Sequence, residues 1–176
     1  MECKNAIFQR NSCRSYIKKD VEESLIHELI AAGNAAPVGM GQFDTLHISV
    51  IQSTELLKEI DRTAAEFVGK PESHPLYGAP VMILVSAQIP PAPMENMVYM
   101  DAGCIIENVM LAATEAGLGS CFIMGAVAAL NTNRTILEKL HLPDGMIPIG
   151  ACILGYSDVF QQSREMDENK ISCSWL

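Results

Sequence analysis

At 176 residues, with 49% hydrophobic and 19% charged side chains, the chain has the size and composition of one globular domain spanning 1–176. Its 21 acidic against 12 basic residues leave a net charge of −9, which excludes general nucleic-acid binding, because displacing counterions from a polyanion needs a basic face. Lys4, Arg10, Arg14, Lys18 and Lys19 nevertheless crowd five of the twelve basic residues into the first nineteen positions, a focus suited to a small anion.

Residues 2–9 read as a short helix with Ala6, Ile7 and Phe8 as apolar contacts. Arg10-Asn11-Ser12-Cys13-Arg14 follows, with two arginines four apart and a hydroxyl between them. Planar, forked guanidiniums grip oxyanion oxygens in pairs, so the pentapeptide is a candidate anion clamp. A continued helix would put positions 10 and 14 on one face, and a loop end would also let them converge. Taken alone, the same residues read more readily as two solvated arginines at a helix end.

Asp20 is the expected N-cap of a second helix, with Glu22 and Glu23 in its first turn and Leu25, Ile26, Leu29 and Ile30 at helical spacing. It ends near Gly33-Asn34, and Pro37 blocks its continuation into the apolar loop Val38-Gly39-Met40-Gly41. Residues 43–50 alternate, apolar at Leu46, Ile48 and Val50, which predicts a half-buried strand on which a lone His47 is a polar-face residue. Ser53 or Thr54 caps a helix over about 54–67. Residues 79–86 form a continuous apolar run, the pattern of a strand covered on both faces, and Ile89-Pro90-Pro91-Ala92-Pro93 marks an exposed connection.

A long helix is predicted over about Glu95–Glu115. Its polar residues, Asp101, Glu107, Asn108, Thr114 and Glu115, form a narrow stripe on an otherwise apolar surface, so it packs on two sides, as a core helix or between its own sheet and a second subunit. Gly117-Leu118-Gly119-Ser120-Cys121-Phe122-Ile123-Met124-Gly125 then gives a helix stop and a short buried strand. It is not a dinucleotide fingerprint, because it follows a helix and carries Phe122 at the last glycine position. A helix over 131–140, capped by Asn131 or Thr132, a turn at Pro143-Asp144-Gly145 and a core strand over 147–156 complete the regular elements. The polar tail ends in Ile171, Cys173, Trp175 and Leu176, an alternation that predicts an added strand or an arm seeking a partner.

Six cysteines form no C-x-x-C pair, and His27, His47, His74 and His141 stand at no ligand spacing, so zinc is not expected. The start has no signal-peptide core and no apolar run reaches about 18 residues; free thiols, a cytoplasmic setting and no membrane span are the expectations. No nucleophile–base pair or carboxylate dyad stands out, so any chemistry belongs to a cofactor.

In this order the motifs resemble the FMN-dependent nitroreductases. The likeness rests on the Arg-x-Ser-x-Arg opening with Tyr16, on Ala35-Ala36-Pro37 and its small-residue loop, and on Tyr77-Gly78-Ala79-Pro80. It continues through the helix from Asp101 to Glu115, through Gly117-Leu118-Gly119-Ser120 and Gly125, and through Pro148-Ile149-Gly150 to Tyr156. The resemblance implies an α+β fold, an α/β/α sandwich with a mostly antiparallel sheet flanked by helices, in an intertwined homodimer with FMN at each side of the interface.

By similarity, Arg10 and Ser12, with Asn11 between them, hold the phosphate and ribityl end, and Arg14 lies near the flavin pyrimidine. Pro37, Val38, Gly39 and Met40 come from the other subunit. Ile123, Met124 and Gly125 line the ring, and Arg164 is a further phosphate contact, with Lys170 a weaker substitute. The implied activity is two-step hydride transfer from NADH or NADPH through FMN to nitro compounds, quinones or similar acceptors. No catalytic side chain is assigned. The chain departs from its relatives where Gln42-Phe43-Asp44 replaces a polar loop ending in Gln-Pro-Trp, where Asn11 replaces a frequent basic residue, and in its compact stretch from Gly125 to Asn131. The alternative implied by the departures is a flavin or phosphate-ligand binding module without turnover; a purely structural dimer, its arginines in salt bridges, is a third possibility.

Overall fold

The run Val81–Ala87 is buried on both faces because helices cover each side of the sheet, and it has a strand on each edge. In the computed structural model, which describes residues 2–159 and 163–176, β2 (Val81–Gln88) pairs on one side with β1 (Leu46–Ile51) and on the other with β4 (Met146–Gly155). β4 then pairs with β3 (Gly119–Phe122), giving the order β1-β2-β4-β3 with every neighbouring pair antiparallel. Pro148 has no N–H to give a central strand, and the register slips beside it: Val85 faces Gly150 whereas Ser86 faces Pro148, leaving Ile149 as a bulge.

Each face of the sheet has its own helical layer. Ile83, Val85 and Ala87 meet Ile26 and Leu29 of α2 (Glu23–Asn34) and Ile105, Ile106 and Val109 of α4 (Met97–Glu115). Met82 and Leu84 meet Leu57, Ile60 and Ala64 of α3 (Thr54–Phe67), Ala126 and Leu130 of α5 (Gly125–Thr132), and Ile136 of α6 (Arg134–Lys139). The expected α/β/α sandwich is the observed architecture. A short α1 (Cys3–Gln9) precedes it.

Several local expectations are corrected. Asp20 is not a cap: Val21 is buried in the α2–α4 layer, the chain stays extended through Glu22, and α2 starts at Glu23 with no side-chain cap. The single helix read over 131–140 is two. The alanine-rich stretch after Met124 coils into α5, so the 125–131 segment is itself helical. Asn133 then leaves the helical region and accepts the Ile136 N–H on Oδ1, starting α6. Asn133→Ala is expected to lower stability by about 1 kcal/mol, seen as a lower urea midpoint at unchanged slope; an unmoved midpoint would show that the cap contributes nothing.

The tail forms no strand among the described residues, and Ile171, Trp175 and Leu176 are exposed. Val50, expected to face inward, sits on an edge strand and is 39% exposed. Among the described residues α4 alone is long and apolar enough to cross a membrane, which the sequence reading did not anticipate; half of that window is buried inside the molecule. The outward side of α4 presents Tyr99, Met100 and Cys104.

Candidate functional site

α1 stops at Gln9, with the Arg10 N–H donating back to the Ala6 carbonyl at 2.9 Å. The chain then runs extended along the free edge of β3: Ser12 pairs with Ser120, and the Cys13 N–H donates to the Ser120 carbonyl at 2.8 Å. Gly119 permits this approach, because a Cβ there would stand 2.6 Å from Cys13 Sγ. In extended backbone alternate side chains share a side, which sets positions 10, 12 and 14 apart from Cys13, which enters the core. The clamp is thus built on a strand edge, not on a helix face.

Arg10 is largely enclosed, its side chain 17% exposed, with Nε 3.3 Å from Glu107 Oε1 of α4. Ser12 and Arg14 are exposed. Asn11 is engaged elsewhere. Its amide donates to the Gln9 carbonyl at 2.8 Å, and it lines a cavity of about 390 Å³ with Gln9, Thr114, Gly117 and Leu118. Arg164 is brought to the same end of the molecule. Its backbone N–H and Nη2 donate to the carbonyls of Phe8 and Ile7, satisfying the last turn of α1 just before Arg10.

Beside the clamp lie three buried thiols, Cys13, Cys121 and Cys152, and all six cysteines of the chain are free. Burial pushes the Cys121 thiol up, against an opposing pull from Arg14, the Ser12 hydroxyl and Arg10. Burial, with Cys121 and the Glu107 carboxylate adding to it, pushes Cys152 from 9.0 up to about 12. The native state therefore holds this proton to higher pH than the unfolded chain. Stability from the group is intact below about pH 9 and is lost as pH rises toward about 12. Cys152→Ala is expected to flatten the alkaline arm of the stability curve; an unchanged slope in that range would contradict the assignment.

At the inner end of β3, Ile123 is buried and its N–H donates to the Ala151 carbonyl, whereas Met124 and Gly125 are exposed. These residues open α5, whose first N–H groups have no intrahelical acceptor and favour negative charge. The remaining expected contacts, Pro37, Val38, Gly39 and Met40, form a tight turn in which Met40 and Gly41 take left-handed backbone (φ 55° and 67°). Asp101 Oδ1 accepts the Gly39 N–H at 2.9 Å, and that carboxylate is buried in α4.

The structure does not bring this turn to the clamp. It leads into β1 at one edge of the sheet, whereas the clamp flanks β3 at the other. The sequence reading missed three participants: Ser120, Asp101 and Glu107. For Asp101 a signal existed, an acidic residue between Val98, Ala102 and Ile105 on the buried side of an apolar helix.

The donor set suits a phosphate group. Arg10 Nε and Ser120 Oγ are buried without a hydrogen-bond partner, an arrangement folded proteins rarely leave unexplained. They lie with Ser12 and Arg14 at one sheet edge. Among the described residues no group of His, Cys, Asp and Glu is placed to hold a metal.

The family described as Nitroreductase family matches residues 7–156. A protein of Methanothermobacter thermautotrophicus bearing the provisional name NADH dehydrogenase/NAD(P)H nitroreductase is 28% identical over 161 residues, 89% of this chain and 78% of its own. Among solved structures, a nitroreductase with bound FMN from Bacteroides fragilis superposes with TM-score 0.83 at 25% identity, covering 99% of this chain and 100% of that one. A second, with bound FMN, from Desulfitobacterium hafniense, gives 0.84 at 22% identity over 99% of each chain, a likeness of fold.

Proposed function

The chain belongs to the nitroreductase family, and on that premise we propose that it is an FMN-dependent NAD(P)H oxidoreductase acting on nitro compounds, quinones or similar small acceptors. The observation that carries this reading is the clamp itself: two guanidiniums and a hydroxyl on one strand edge, with the Ser120 hydroxyl buried beside them without a hydrogen-bond partner. The FMN bound in the Bacteroides fragilis nitroreductase and the name of the archaeal relative support it.

In this proposal Arg10 and Ser12 bind the phosphate and ribityl end, Arg14 places positive charge near the pyrimidine, and Arg164 braces the clamp through α1. Ile123, Met124 and Gly125 line the ring, where the N-terminus of α5 favours the added negative charge of the reduced state. The chemistry the cofactor supplies when bound is hydride acceptance from NADH or NADPH and hydride delivery to the acceptor. The protein contributes positioning and exclusion of water, and no side chain is required as acid or base.

The site is completed by a second copy of the chain. The separation of turn 37–41 from the clamp supports this, because one chain presents the two halves at opposite sheet edges. Tyr99, Met100 and Cys104 on the outer side of α4 and the exposed Met40 and Phe43 supply an apolar surface for the partner. A homodimer with Pro37, Val38, Gly39 and Met40 acting across the interface follows. A cytoplasmic setting is part of the proposal and accords with six free cysteines.

The test is steady-state oxidation of NADH and NADPH by FMN-loaded protein with a nitroaromatic and a quinone. Turnover with ping-pong kinetics is expected. Loaded protein that binds flavin yet oxidises neither nucleotide with either acceptor would replace the enzyme reading with that of a flavin-binding module.

A further inference from the structure

The clamp carries an acidic residue that the proposed function does not use. Glu107 projects from α4 onto Arg10, with Oε1 3.3 Å from Nε. The contact has ion-pair distance, yet Nε makes no well-aligned hydrogen bond. Arg10 is 17% exposed and Glu107 48%, so the guanidinium is held inside while the carboxylate reaches the rim. Its charge also reaches the interior, where it helps raise the Cys152 thiol.

A guanidinium offers two edges to an oxyanion, one through Nε and one through the two terminal nitrogens. With Glu107 at the Nε edge, a phosphate is left the terminal edge. It must then sit close to a fixed negative charge.

We propose that Glu107 is a specificity-determining counter-ion of the clamp, holding Arg10 in place without a phosphate and reducing the preference for phosphorylated over unphosphorylated flavin. The inference rests on the FMN reading above. One unit charge at roughly 6–7 Å from a dianion, at an effective dielectric between that of a protein surface and water and screened by salt at physiological ionic strength, changes a dissociation constant by about 3–30-fold. Glu107→Gln keeps an acceptor for Nε and removes the charge, so it separates repulsion from positioning.

The experiment is titration of FMN and of riboflavin, by quenching of flavin fluorescence, into the parent protein and Glu107→Gln at low and high salt. FMN binding is expected to tighten about 3–30-fold in the variant, riboflavin binding to stay within about 2-fold, and the FMN gain to shrink as salt rises. FMN affinity that is unchanged or weaker in Glu107→Gln overturns the counter-ion role while leaving the cofactor reading intact. A parent protein that binds neither flavin overturns the cofactor reading and this inference with it. An equal gain for both flavins also overturns it, since the effect would not act through the phosphate.

Discussion

Arg10→Ala is expected to weaken FMN binding by about 1.5–3 kcal/mol, the scale of a charge-assisted hydrogen bond. Riboflavin, which lacks the phosphate, should bind the variant nearly as it binds the parent. The expectation follows from position: Arg10 begins the extended edge beside β3, is mostly enclosed, and keeps Nε buried without a hydrogen bond. Removing it deletes the least mobile cation of the clamp and leaves Arg14 exposed and alone above Ser12. Glu107 is half exposed, so its lost partner costs the fold little. An FMN dissociation constant that matches the parent's would refute the placement of the phosphate at Arg10.

Ile106→Ala is expected to destabilise the protein by about 2–5 kcal/mol, lowering Tm by on the order of 5–15 °C. Ile106 is fully buried on the sheet side of α4, in the cluster that joins α2, α4 and the β2–β4 pair. Its Cδ1 would lie 2.9 Å from a Cβ built at Gly150, so it fills the hollow that this glycine leaves in β4. Neighbouring backbone has no easy way to close that hollow, and a cavity would persist. Urea or thermal unfolding measures the loss; a change under about 1 kcal/mol would mean that the α4 layer repacks freely. The same variant also tests the site, because α4 carries both Glu107 against Arg10 and Asp101 against Gly39.

The elements most legible in the sequence were those fixed by local pattern. The Val81–Ser86 run could only be a doubly covered strand, and Ser53 does cap α3, accepting the Leu56 N–H on its hydroxyl. The long apolar helix was read to within two residues of its start, at Met97. Failures came where tertiary contacts overrode local signals. Asp20 had the cap chemistry, but burial of Val21 kept the next residue extended. Gly125 to Thr132 has glycine at its head and no cap, so its alanines gave little sign of a helix until the sheet supplied a surface for Ala126 and Leu130.

The site divided in the same way. Arg10, Ser12 and Arg14 were visible as a cluster because they are neighbours in sequence. That they converge through a strand edge depends on a pairing with Ser120 that no local pattern carries. Glu107 and Asp101 read only as part of a narrow polar stripe, yet one meets a guanidinium and the other a backbone N–H, each far away along the chain. Adjacency also suggested a ligand contact for Asn11, whose amide donates to the Gln9 carbonyl.

The most direct test of a flavin site shared between two chains is the visible spectrum of the purified protein after incubation with excess FMN and removal of free flavin. The expected result is a yellow protein with protein-bound flavin absorbance at one FMN per chain, carried by a dimer and released when the dimer is dissociated. A protein that remains colourless would contradict the cofactor reading, and an FMN-loaded monomer would contradict the shared site.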